Sequence, residues 1–134
     1  MEIEVSTENG RVPVTILHVK GNIDASSYEQ FQSTAKRLID EGARYLLVDL
    51  AKSPFVSSAG LRAIHALFNE LRSRHAATGL SDEQVKKGIS AGTYKSPHIK
   101  LLNLSPETRT AFETSGFDMY IETFTDKNTA VASF

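Results

Sequence analysis

The chain has 134 residues, 40% of them hydrophobic and 23% charged, and a formal net charge of −1. This describes one globular domain with material for a real core, and the even spread of 15 basic and 16 acidic residues argues against direct nucleic-acid binding. The lack of cysteine excludes disulfides, thiol catalysis and cysteine-based metal sites. Met1-Glu2-Ile3-Glu4 does not have the basic-then-apolar form of a signal peptide, and no apolar run approaches the ~20 residues that span a bilayer. A cytoplasmic protein is expected.

Ile3 and Val5 alternate with polar residues, Asn9-Gly10 supplies a turn, and Val14, Ile16, Leu17 and Val19 resume the apolar pattern, which predicts a β-hairpin ended by Gly21. Ser26-Ser27-Tyr28-Glu29 fits a capping box, followed by Phe31, Ala35, Leu38 and Ile39 at helical spacing up to Gly42. Tyr45–Leu50 reads as a strand covered on both faces. A second helix is predicted from about Ser58 to about Ala76, with Leu61, Ile64, Leu67, Phe68 and Leu71 as its buried stripe. Ser58, Arg62, His65, Asn69 and Arg72 fall on another stripe, facing solvent or a partner.

Residues 77–97 break the pattern with Gly79, Gly88, Gly92 and Pro97, and read as a polar surface insertion carrying at most one short helix capped within Ser81–Gln84. Ile99, Leu101 and Leu102 mark a strand, Ser105-Pro106-Glu107 starts a helix that Gly116 ends, and Met119–Thr123 reads as a short strand. Thr125 is placed to cap a last helix whose Ala130, Val131 and Phe134 face the core. The predicted order is β-β-α-β-α-β-α-β-α, an α/β fold with a mixed sheet packed against about four helices.

The segment richest in chemistry is Phe55-Val56-Ser57-Ser58-Ala59-Gly60-Leu61-Arg62, directly after the buried strand. The first amides of a helix lack partners within it, and the helix dipole adds positive charge there. A serine at that point either caps the helix or carries a phosphate that amides and dipole help to hold. Arg62, one turn on, is spaced to meet such a phosphate or to stay solvated. Asp49 ends the strand at a position common for α/β sites, or closes the sheet edge. His18, His75 and His98 are widely spaced and form no metal-ligand pattern, so neither metal nor cofactor is expected.

Three stretches are similar to the STAS domain, the module of bacterial anti-sigma factor antagonists and of sulfate-transporter tails: Gly21-Asn22-Ile23-Asp24; Leu47–Leu50 with Phe55–Leu61; and Pro106 with Gly116-Phe117. The resemblance covers nearly the whole chain apart from 77–97. It implies partner switching: the unphosphorylated form binds an anti-sigma factor that is also a serine kinase, frees the sigma factor, and loses that contact when phosphorylated. The implied acceptor is Ser58, with Ser57 as the second choice because it stands where many members have aspartate. The expected contact residues are Asp24, Ser58, Leu61, Arg62, His65 and Asn69. Asp24 is equally placed to cap the first helix. A PP2C-like phosphatase is the second implied partner, and the protein is expected to be a non-enzymatic monomer or weak dimer.

Two other readings stand beside this one. A STAS module also serves as a scaffold or ligand sensor in stressosome, transporter or lipid-transport regulation, without a sigma-factor role. A serine hydrolase needs glycine at −2 and +2 of its nucleophile; Gly60 meets one condition, but Val56 occupies the other position.

Overall fold

Five strands form one mixed sheet in the spatial order β1-β2-β3-β4-β5. The computed structural model describes residues 1–75, 82–91 and 94–134. The strands are β1 (Glu2–Asn9), β2 (Pro13–Lys20), β3 (Leu46–Lys52), β4 (Ile99–Leu102) and β5 (Thr123–Phe124). β1 pairs antiparallel with β2 from Glu2↔Lys20 to Asn9↔Pro13, and the remaining pairs are parallel. The helices among the described residues are α1 (Tyr28–Asp40), α2 (Ser58–Arg74), α3 (Asp82–Ala91), α4 (Pro106–Ser115) and α5 (Lys127–Ala132). No helix among them is long and apolar enough to cross a membrane.

The alternation of side chains along each strand divides the core in two. On one face Leu17, Val19, Val48, Leu50 and Leu101 pack beneath Phe31 of α1, the Leu61–Leu71 stripe of α2 and Phe112 of α4. On the other, Val14, Ile16, Leu47 and Leu102 pack beneath Ala130 and Val131 of α5. Lys100, only 3% exposed, belongs to that second face. Its ammonium donates to the carbonyl and hydroxyl of Ser133 (2.9 Å each) and lies 3.3 Å from the Glu122 carboxylate, beside the rings of Phe124 and Phe134. Toward β1 the same face turns polar, with Ser6, His18 and Asp49 in place of aliphatic residues.

Several sequence expectations are corrected. The capping box ahead of α1 does not form: Ser27 is the N-cap residue but makes no capping bond, because its hydroxyl oxygen accepts from the Asp24 amide (3.0 Å) while its O–H donates to the Asn22 carbonyl (2.7 Å). Met119 lies in a 3₁₀ turn (Phe117–Met119), and the last strand starts only at Thr123. Asp126, rather than Thr125, caps α5 by accepting from the Thr129 amide. His75 and His98, distant in sequence, face each other with ring centroids 5.1 Å apart, and burial pushes both below the usual histidine range.

Among its described residues the 77–97 stretch holds one helix, and it closes onto the core at its end. Its helix α3 has 10 residues, and the stretch leading into β4 is built into the fold. The Tyr94 ring meets Phe68 edge-on at 6.2 Å, the Ser96 amide donates to the Tyr120 carbonyl (2.7 Å), and the buried Ser96 hydroxyl accepts from the amides of His98 and Ile99. Ala76, the expected end of α2, and the Ser81 cap lie outside the described residues.

Candidate functional site

The C-terminal ends of β2 and β3 run on into two loops that stay paired. Gly21 donates its amide to the Lys52 carbonyl (2.9 Å), Ile23 to Phe55 (3.1 Å), and Ser57 back to Ile23 (2.8 Å), with a parallel bridge between Ile23 and Val56. This places Asp24 just past one loop and Ser58 just past the other, so two distant stretches of sequence form one corner. Gly60 is what lets the corner close: a Cβ there would lie 2.7 Å from the Ile23 carbonyl oxygen and 2.7 Å from Val56 Cγ1. Only a residue without a side chain lets the first turn of α2 approach that backbone.

The two serines divide the work between them. Ser57 is the N-cap of α2, and its hydroxyl accepts from the Gly60 amide at 3.4 Å. Ser58 is the first helical residue, exposed, and no hydrogen bond of its hydroxyl occurs among the described residues. No acidic residue lies in the first turn of this 17-residue helix. The positive end of the dipole and the amides that the helix itself cannot use therefore surround a hydroxyl open to solvent.

Asp24 supplies the negative charge of the corner. Its Oδ1 accepts from the Ser26 hydroxyl (2.6 Å), the Ser26 amide (2.9 Å) and the Ser27 hydroxyl (3.2 Å). The Ser26 hydroxyl and then its amide hold this carboxyl below the usual carboxylate range. The charge thus stiffens its own loop and does not cap α1. Between α1 and α2, next to Ser58, lies a groove of about 200 Å³ floored by Ala59 and Ala63 and walled by Tyr28, Gln32 and Arg62.

Of the expected contact residues, Asp24, Ser58, Arg62 and Asn69 reach the surface. Asn69 is three turns along α2, about 16 Å from Ser58 at 1.5 Å per residue. Leu61 does not qualify: it is 6% exposed and belongs to the core. His65 is also turned inward. Its Nδ1 shares a 2.7 Å hydrogen bond with the Tyr120 hydroxyl, its ring stacks on Phe117 at 5.2 Å, and burial lowers its pKa. Helical spacing alone missed this, because the face beside Arg62 is covered by the turn after α4. The residue that the pattern overlooked is Phe55, 49% exposed on the loop before Ser57. Its signal was an aromatic residue after Pro54, outside any periodic stripe.

Comparisons with known proteins bear on the family and the fold. The model of the STAS domain family matches residues 4–85. A Bordetella bronchiseptica protein that bears the name anti-sigma factor antagonist BtrV is 26% identical over 116 residues, covering 87% of this chain and 82% of that protein. The crystal structure of an anti-sigma factor antagonist from Mycobacterium paratuberculosis superposes with a TM-score of 0.69 at 17% identity, covering 98% of this chain and 93% of that one. The antagonist SpoIIAA in its unphosphorylated form also gives 0.69 at 17% identity, over 97% of this chain and 93% of that one. The phosphorylated form of Bacillus SpoIIAA gives 0.63 at 17% identity, over 97% and 96%.

Proposed function

We propose that this chain, which belongs to the STAS domain family, is an anti-sigma factor antagonist working by partner switching, with Ser58 as the phosphoacceptor. The observation that carries this is the division of labour at the start of α2. Ser57 takes the capping role, which leaves the Ser58 hydroxyl exposed at the positive end of the helix. The names borne by the Bordetella, Mycobacterium and Bacillus proteins supply the partner class.

The unphosphorylated protein binds an anti-sigma factor with serine kinase activity and so frees the sigma factor. Phe55, Asp24, Arg62 and the groove beside Ser58 form the contact surface, with an exposed aromatic at its edge. A phosphate adds about −1.5 to −2 charges and three acceptor oxygens. The helix terminus tolerates that charge, but a partner fitted to a neutral hydroxyl does not, since burying an unpaired charge costs several kcal/mol. A PP2C-like phosphatase resets the switch. The protein acts as substrate and ligand in this cycle, without catalysing it.

The test is a phosphorylation assay with candidate anti-sigma factor kinases, read by peptide mass spectrometry. Phosphate on Ser58 is expected, and Ser58→Asp should weaken kinase binding by about 100-fold or more with an unchanged melting temperature. Phosphate confined to Ser57 would transfer the role to the capping residue, and equal affinity of Ser58→Asp and wild type would rule out the switch.

A further inference from the structure

On the open half of the second sheet face, three side chains from three strands form an unbroken relay. Ser6 Oγ lies 2.8 Å from His18 Nε2, and His18 Nδ1 lies 2.9 Å from Asp49 Oδ2. Asp49 is itself held, its Oδ1 accepting from the Ala51 amide (3.0 Å) and the Asn103 side-chain amide (3.3 Å). An ionised carboxylate only accepts, so the neutral imidazole must carry its proton on Nδ1. The lone pair is then on Nε2, and Ser6 donates its O–H to it. This is the order of roles that activates a serine: nucleophile, base, and a carboxylate that fixes the tautomer.

We propose that Ser6 is a nucleophilic serine, a second modification site of this chain, which takes the acyl group of a small activated ester. His18 is the base, and Asp49 is a positioning residue that acts through His18. Ser6 Oγ bonds to the carbonyl carbon, the bond from that carbon to the leaving oxygen breaks, and the serine proton passes by way of His18 Nε2 to the departing alkoxide. The product is an O-acylserine and an alcohol, with no net change in oxidation.

The surroundings permit access. β1 is an edge strand and Ser6 is half-buried, while a recess of about 150 Å³ opens at the His18–Asp49 end of the relay, lined also by Glu4, Lys20 and Lys52. The half-buried Ser6 on a crowded sheet face favours a short acyl chain over a bulky one. Strand amides lie in the plane of the sheet while side chains stand out of it, so the backbone at Ser6 aims no donors at a developing oxyanion. The site therefore captures an acyl group and does not turn over.

This inference is independent of the role of Ser58. The test is incubation of the intact protein with p-nitrophenyl acetate, followed by intact-mass and peptide mapping. One acetyl group on Ser6 is expected, absent in Ser6→Ala and retained in Ser58→Ala. His18→Gln should slow the acetylation of Ser6 by about 100-fold, and the pH dependence that the imidazole gives to the rate should vanish with it. Asp49→Asn should keep the fold, checked by thermal melting, but change that pH profile, because the amide no longer dictates the tautomer. Acetyl groups on lysines or the terminal amine alone, or a Ser6 rate unaltered in His18→Gln, would overturn the proposal. Should His18→Gln not melt cooperatively, a pH-independent Ser6 rate in the wild type would overturn it equally.

Discussion

Ser58 and Ser6 show two ways in which one fold can expose a serine to chemistry. Among the described residues no base is bonded to Ser58; it stands at a helix start whose shape comes from backbone packing, with Gly60 tight against Ile23. Ser6 lies on an edge strand, and its character comes from side chains, His18 and Asp49, aligned across three strands. The first arrangement suits a serine whose base is brought by a kinase, and whose own surroundings need only accept charge afterwards. The second suits a serine that meets small molecules unaided. Steric closeness builds one, and strand register builds the other.

The sharpest way to separate the two is Gly60→Ala. The added methyl would lie within 2.7 Å of backbone and side-chain atoms, so helix and loop must part. Overpacking of this kind costs about 1–3 kcal/mol. Phosphorylation of Ser58 and partner binding should fall together, while acetylation of Ser6 in the folded fraction should not change. Kinase assays beside thermal melts check this. Asp49→Ala is the converse experiment. It removes the acceptor for the Ala51 amide, the His18 ring and the Asn103 side chain at a largely buried position, which costs about 1–3 kcal/mol. Urea unfolding should register that loss, while Ser58 is phosphorylated at the wild-type rate.

Ser57→Ala is a smaller perturbation of the first corner. It deletes a long capping bond of 3.4 Å, so a loss at the low end of the usual range, about 0.5–1 kcal/mol, is expected, with phosphate still placed on Ser58. The smallest expected effect is that of mild acid, and it touches both serines alike. His65, His75 and His98 are held neutral by burial, with folded pKa values below the ordinary one. In such a case the unfolded chain binds more protons, so stability is complete above about pH 6.5 and declines as the pH falls from there toward the folded values. Urea midpoints at pH 7 and at pH 5.5 should show the decline, and any acid loss of reactivity at Ser6 must exceed it to be assigned to His18.

Much of this molecule was legible in its sequence because the signals were local. The α2 stripe from Leu61 to Leu71, the Ser105-Pro106 helix start and the left-handed Gly116 each depend on neighbours a few residues away, and all three stand as expected. What escaped reading were contacts created by tertiary placement. Ser26 and Ser27 matched a capping box, but the Ser26 hydroxyl turns to the Asp24 carboxylate and the Ser27 oxygen accepts from the Asp24 amide instead. His65 had an exposed address on a helical wheel and became covered when Phe117 and Tyr120 folded over it. Ser6, His18 and Asp49 are 12 and 31 residues apart along the chain. Their alignment depends on strand register, and a one-residue slip would have turned each of them to the opposite face.

The buried Lys100 ammonium makes the second core a lock as well as a packing surface. It is held by the Ser133 carbonyl and hydroxyl and by the Glu122 carboxylate, beside Phe124 and Phe134. A buried ion tolerates no vacancy among such partners, since leaving it unpaired costs several kcal/mol. The segment after α5 therefore cannot peel away by small steps, as a purely apolar cover could. It stays closed or releases the whole face, so this side of the sheet should exchange its amides as one unit.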